Sequence, residues 1–436
     1  MTAAKNLSIV IVFAALLGLL GIGGFMLFQD MEGPEVILTP DTGRASPHQD
    51  LTLTLRDKKS GIRSVTVTVK KNSHSLVVLD SAFTDGRREQ RVTFNLKDAG
   101  LKDGAFDLEV RSADTSLAGF GKGNTTTRVY PMRLDTQPPR VSVKSMPPYV
   151  RRGGTGSILY SVNEDVERTG VKVGDLYFPG FKQPSGDYLC FFAFPHFLTV
   201  GQYAPEITAV DLSSNAMASR LVIRPLDRVF RHDNINISES FLASKMPEFE
   251  QDVPGELSPL ERFLKVNNEL RASNEQKLLE IGKDTAPAML WHGAFLQLPN
   301  SATRAGFADN RSYLHNGQKV DNQTHLGLDF ASLAMAEVPA SNSGRVVFAG
   351  HLGIYGNLVV IDHGLGLQTL YSHLSEISAN VGQQVKKGDI IGKTGTTGMA
   401  GGDHLHFGVT IGGVQVQPLE WLDPHWIEDN VTARLK

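Results

Sequence analysis

The 436-residue chain has a single cysteine, Cys190. One thiol cannot close an intrachain disulfide, and a four-cysteine zinc site is excluded. There is also no excess of one charge: 43 Lys and Arg stand against 46 Asp and Glu, a net charge of -3. A dedicated nucleic-acid binder would usually be basic, so no nucleic-acid partner is expected. The chain lacks a G-x-S-x-G nucleophile elbow, and Cys190, in the apolar stretch YLCFFAF, lacks papain-type surroundings and reads as a buried small hydrophobe. GDIIGKT (388–394) imitates a phosphate-binding loop, but Walker A needs one more residue between its glycines. What is present is a core-forming composition, 41% apolar and 20% charged, which fits neither disorder nor collagen-like repetition. The length suggests about three domains at roughly 150 residues each. Nine of the 13 histidines lie between His292 and His425, which places any histidine chemistry in the C-terminal third.

Residues Leu7 to Phe28 run without a charge. As a helix they would extend about 33 Å, enough for a hydrocarbon core of ~30 Å. Lys5 and the amino terminus flank one end, Asp30 and Glu32 the other. The positive-inside rule then predicts a cytoplasmic tail (1–6), a single-pass anchor (7–28) and an extracytoplasmic remainder. A cleaved signal peptide would have a shorter apolar run and a small-residue cleavage site, and FMLFQD offers none. Ala14 and Gly18 form a small-xxx-small pair able to pack two helices.

From Pro34 to about Pro225 the pattern is that of short strands, as in the alternation VTVTVK (65–70). A weak repeat recurs at about 100 residues. GPEVIL (33–38) echoes PPRVSV (138–143), and DGAFDLEVRSAD (103–114) echoes VGQYAPEITAVD (200–211). Two immunoglobulin-like β-sandwich modules are predicted, 34–136 and 137–226, as spacers with envelope proteins as possible partners. A linker, 227–286, carries a predicted helix over 258–281. Ser258 is its N-cap, Pro259 its first residue, Glu261 completes a capping box, and Gly282 is the stop. Asn267 and Asn274 interrupt its apolar stripe.

The chemistry-bearing residues follow. HLGLDFA holds His325 and Asp329, and DHLHFGVTI holds His404 and His406. On a strand, residues two apart face one way, so His404, His406, Gly408 and Thr410 are expected on an open face and Leu405, Phe407, Val409 and Ile411 on an apolar one. Imidazole and carboxylate suit Zn²⁺ at a catalytic position, and three such ligands leave a fourth position for water. His373, in LYSHL, adds another imidazole. The spacing does not distinguish which of His404 and His406 is the ligand.

The stretch from about Phe307 to Trp421 resembles the M23 (LytM/lysostaphin-type) zinc metallopeptidases. The matching signatures are HLGLDFA, SGRVVFAGHLGIYGNLVVIDHGLGLQTLYSHL, VGQQVKKGDIIGKTGTTGMAGGDHLHFGV and QPLEWLD, in that order. The resemblance implies a mainly antiparallel β peptidase domain, here 287–436, within a chain that is mainly β. It implies that His325, Asp329 and His406 bind zinc and that His404 and His373 are the catalytic pair. It implies an endopeptidase acting on the stem-peptide cross-links of peptidoglycan, on the periplasmic side of the bacterial cytoplasmic membrane. A D-Ala to diaminopimelate bond is expected in a Gram-negative host and a glycine bridge otherwise. Two alternatives are a non-catalytic member of the fold that activates other wall hydrolases and a structural envelope protein. Arg311 and Tyr313 are candidates for substrate contact, and Tyr355, Asn357 and Tyr371 for lining the groove. His363 is expected to be structural, and His292, His315, His351 and His425 have no partner at ligand spacing. Asp362 and Asp403 lie near enough in sequence to support the ligand histidines. Residues 227–300 are a candidate segment for holding the enzyme latent.

Overall fold

The computed structural model describes residues 12–19, 21 and 30–435. Residues 12–19 are helical, and among the described residues no helix is long and apolar enough to cross a membrane. The apolar run predicted to span the bilayer lies for the most part outside the described residues. The described chain is mainly β and divides into two compact units. The first comprises residues up to Pro139 together with Asp165–Glu167 and Val210–Ala216; the second comprises the rest.

In the first unit the VTVTVK alternation becomes the strand Ile62–Lys71, which buries Val65, Val67 and Val69. Side chains alternate across a strand, so a period of two in polarity puts one apolar row on one face. This strand lies in a five-stranded sheet between Gly104–Asp114 and His74–Ala82. A three-stranded sheet, Glu35–Thr39, Leu51–Arg56 and Glu89–Phe94, supplies the opposite layer. Its Leu51, Leu53 and Leu55 share one core with Val65, Val67, Leu108 and Val110.

The second unit starts with two four-stranded sheets over the span predicted for module 2. Its core does not end with them. It runs from Val150 and Phe191 through Trp291 and Phe295 to Trp421 and Val431. Phe191 packs edge-on against Trp421, with ring centroids 5.6 Å apart. The Thr155 N–H donates to Glu420 Oε2 at 2.8 Å. The predicted spacer is therefore built into the same body as the C-terminal domain. Cys190 is fully buried in the strand Tyr188–Ala193, and burial pushes its thiol up to about 12.

The linker forms Pro259–Lys265, a π-helical turn Val266–Leu270, and Arg271–Ile281 in direct succession. The Ser258–Glu261 capping box is present. Gly282 ends the helix without a left-handed backbone, at φ -60°. The residue is needed there for a different reason: a Cβ would collide with the Gly413 backbone. The two asparagines that break the apolar stripe are buried and bonded to the domain beneath. Asn267 Nδ2 donates to Asp321 Oδ2 at 2.8 Å, and Asn274 Oδ1 accepts from the Ile354 N–H at 2.9 Å.

The C-terminal domain is organised by an eight-stranded sheet. Its central order is Leu328–Ala331, Leu405–Ile411, Leu367–Leu374, Asn357–Asp362 and Gly344–His351. Beside it, His232–Asn236 from the linker pairs in parallel with Asp309–His315, which in turn pairs with Gln318–His325.

Candidate active site

The register of the large sheet sets the first pair of functional side chains. Asp329 lies opposite His406, and Ser372, next to His373, lies opposite His406 on the other side. The smaller sheet ends at His325. Within HLGLDFA, Gly327 has a steric reason: a Cβ there would stand 2.5 Å from His406 Cε1. The predicted open face of the HLHFGVTI strand is short. His404 and His406 reach the cavity, but Gly408 and Thr410 are buried, with the Leu370 and Gln415 side chains packed beside Gly408.

His325, Asp329 and His406 converge. His325 Nε2 lies 2.9 Å from both Asp329 Oδ1 and His406 Nδ1, and His406 Nδ1 lies 3.0 Å from Asp329 Oδ1. His325 Nδ1 is 2.8 Å from the Gly306 carbonyl oxygen. A carbonyl only accepts, so Nδ1 carries the hydrogen and Nε2 presents a lone pair when the ring is neutral. Two acceptors, His325 Nε2 and Asp329 Oδ1, then face each other at hydrogen-bond distance. That arrangement requires a proton or a cation between them. Two imidazole nitrogens and one carboxylate oxygen are a donor set that fits a metal ion. The other oxygen of Asp329, Oδ2, accepts from Arg311 Nη2 at 3.1 Å.

His404 and His373 stand beside this trio, with ring centroids 4.9 Å apart. Each donates Nδ1–H to a backbone carbonyl, His404 to Gly402 and His373 to Thr397, both at 2.8 Å. Nε2 is left as the nitrogen of each ring available for chemistry. His404 Nε2 is 3.5 Å from Asp329 Oδ1. His373 has a left-handed backbone, φ 65°.

Burial sets the electrostatics. It lowers His404, but the bond to Asp329 and the charge of Asp329 outweigh it, so His404 is net raised. Burial and then the neighbouring His404 and His406 hold His373 well below the ordinary histidine value. Burial likewise lowers His406 to about 4, against the pull of Asp329. Burial alone would raise Asp329, but His325 and then the other two histidines hold it well below the usual carboxylate range.

These five side chains line one cavity of about 360 Å³. Part of its wall comes from the linker: Ile235, Ile237, Phe241, Phe263 and Arg271. Of the residues predicted to meet substrate, Arg311 and Tyr313 line the cavity; Arg311 is engaged with Asp329, and Tyr313 packs on Phe263 with centroids 5.4 Å apart. Tyr355 lines it too, and its hydroxyl accepts from Gln415. Asn357 instead donates to the Leu374 carbonyl, and Tyr371 is buried with its hydroxyl on Ser341. His363 is fully buried between the Ser343 carbonyl and Thr369. His315 is bonded to the Ile237 carbonyl and His351 to Asp252; neither lines the cavity, nor do His292 and His425.

Asp362 and Asp403 do not support the histidines. Asp362 binds Thr285 and the Ala286 and Gly364 N–H groups, and Asp403 binds Thr394 and Met335. The supporting groups are the carbonyls of Gly306, Thr397 and Gly402, which leave no side-chain signature in a sequence.

Residues 323–418 match the description Peptidase family M23. Over 95 residues the chain is 43% identical to "DD-carboxypeptidase/endopeptidase Mpg" of Neisseria meningitidis serogroup B, covering 22% of each protein. Over 96 residues it is 40% identical to "Peptidoglycan DD-endopeptidase ShyA" of Vibrio cholerae, again covering 22% of each. The chain thus spans about a fifth of the length of these curated relatives. Among solved structures, a putative M23 peptidase from Pseudomonas aeruginosa aligns with 64% of this chain and 95% of its own, at 19% identity and a TM-score of 0.41.

Proposed function

We propose that this chain, whose C-terminal part is an M23 peptidase domain, is a zinc-dependent endopeptidase that cleaves the peptide cross-links of peptidoglycan. The observation that carries the reading is the convergence of His325, Asp329 and His406 with His404 and His373 at their side. Zinc held by the first three would supply Lewis acidity toward the scissile carbonyl and toward the attacking water. His404 accepts a proton from that water at Nε2, the nitrogen its bond to Gly402 leaves bare. The proton taken by His404 then passes to the leaving amine by way of His373 Nε2, which stabilises the developing oxyanion while it holds that proton. Arg311 holds Asp329 by Oδ2, which leaves Oδ1 beside His325 and His406 as the oxygen that would serve a metal ion.

The substrate class rests on the named activity of the relatives over the matched stretch. The apolar run Leu7 to Phe28 would anchor the chain in the cytoplasmic membrane and put the domain on the wall side. The presence of all five side chains favours a hydrolase over a non-catalytic regulator of the same fold.

The test is zinc content and sacculus digestion by residues 30–436. Wild type is expected to hold about one equivalent of zinc and to release soluble muropeptides. His325→Ala is expected to lose the zinc. His404→Ala is expected to keep it and lose the activity. Full digestion by both variants would overturn the assignment. Mass spectrometry of the released fragments identifies the bond cleaved.

A further inference from the structure

We propose that Asp30, Asp57 and Asp114 form a calcium site at one end of the first unit, where the chain enters the first sandwich. The three carboxylates come from separate segments: Asp30 precedes the strand Glu35–Thr39, Asp57 follows Leu51–Arg56, and Asp114 ends Gly104–Asp114. One oxygen from each lies within 4.8 Å of the others. That is the span of two oxygens across one calcium ion, at about 2.4 Å to each.

The site is built before any ion arrives. Asp57 Oδ1 accepts the N–H groups of Lys59 (2.9 Å) and Ser60 (2.6 Å). Asp114 Oδ1 accepts those of Ser116 (3.0 Å) and Asn124 (2.8 Å). Each carboxylate is thereby fixed in orientation. The loop carrying Asp57 is tied to the one after Asp114 by the Thr115 N–H to the Gly61 carbonyl, 2.8 Å. Asn124 Nδ2 reaches Asp114 Oδ2 at 2.9 Å and the Asp30 carbonyl at 3.0 Å, which docks the incoming chain.

Part of this arrangement is a structural clasp. It recurs in the second repeat, where Asn215 Nδ2 donates to Asp211 Oδ2 (2.8 Å) and to the Asp135 carbonyl (3.0 Å). The clasp accounts for Asn124, for Asp114 and for the backbone of Asp30. It does not account for the Asp30 side chain. Asp30 is 9% exposed, and its Oδ2 is buried with no hydrogen-bond partner among the described residues. A buried carboxylate oxygen without a donor is costly, and two further carboxylates at this distance add repulsion. A cation removes both penalties.

The donors are all oxygen, which selects a hard ion over zinc. Calcium accepts irregular sets of six to eight oxygens completed by water. The adjoining cavity, about 600 Å³ and lined by Asp30, Glu32, Gly33 and Asp57, admits that water. Its lining also holds the basic residues Arg56, Lys58, Lys59 and Arg88, of which Arg56 is paired with Glu89 and Lys58 with Glu32.

The test is calorimetric titration of the zinc-loaded full chain with CaCl₂ to about 5 mM, after removal of adventitious ions. About one equivalent should bind, with Kd between roughly 10⁻⁵ and 10⁻³ M. Asp30→Asn and Asp57→Asn should each weaken binding about tenfold or more while leaving circular dichroism and sacculus digestion unchanged. His325→Ala should bind calcium as wild type does, which separates this site from the histidine cluster. No calcium binding by the wild type, or undiminished binding by both Asp variants, would overturn the proposal.

Discussion

Arg311 Nη2 stands 3.1 Å from Asp329 Oδ2, while Oδ1 of the same carboxylate faces His325 and His406. The guanidinium takes one oxygen and leaves the other to the donor cluster. Groups that orient a ligand in this way are commonly worth about 10–100-fold in metal affinity. Arg311→Ala should therefore weaken zinc binding by about that factor, measured by competition with a chelating dye. Arg311→Lys should recover only part of the loss, since an ammonium lacks the planar fork of the guanidinium. Unchanged affinity in Arg311→Ala would leave Arg311 as a substrate contact rather than a positioning residue.

Asn274 anchors the linker helix by accepting the buried Ile354 N–H. Removing the acceptor leaves a buried donor unpaired, at a cost of about 1–3 kcal/mol. Asn274→Ala should lower the unfolding midpoint of the second unit. Because Phe263 and Arg271 on the same helical segment line the cavity, KM should rise as well. Gly353, φ 41°, packs against Asn274 so closely that Gly353→Ala should be destabilising in the same assay.

His373 permits a separation of chemistry from fold. Its φ of 65° is a conformation that asparagine tolerates and β-branched residues resist. His373→Asn should keep the wild-type unfolding midpoint while activity falls by about 10²–10⁴, the range for losing an acid–base group. His373→Val should lose activity and stability together. Paired thermal melts and digestion rates distinguish the two outcomes.

The histidine constellation was legible because metal-binding and proton-transfer chemistry is restricted to a few side chains, and HLGLDFA and DHLHF display them at fixed spacings. The strand Ile62–Lys71 was legible because its alternation is clean. The supports of the site were not. The carbonyls of Gly306, Thr397 and Gly402 are chosen by the path of the chain, and every residue has a carbonyl. Asn267 and Asn274 looked like defects in an apolar stripe because periodicity scores polarity and ignores a partner more than fifty positions away. The shared core of Phe191 and Trp421 escaped for a related reason: a repeat shows where a module begins and ends but not which of its faces is covered.

Glu420, in the QPLEWLD signature, gives the second unit a pH dependence of definite sign. Burial is the main influence on its carboxyl and raises it to about 7, against the pull of the Thr155 N–H and of Arg228 4.0 Å away. Its unfolded value is ordinary for a glutamate, about 4.3. The folded state therefore holds the proton more tightly than the unfolded state. Protonation linkage then stabilises the fold fully below the unfolded value and fades as pH rises through about 7. Raising the pH from about 4.5 to 7.5 should remove about 3 kcal/mol through this group. Glu420→Gln keeps the shape and an acceptor for Thr155 but cannot titrate. Urea unfolding of the variant should lack this part of the pH slope and leave it more stable than wild type at the alkaline end. If the slopes of the two proteins coincide, the carboxyl is ionised throughout and its pairing with Arg228 outweighs burial.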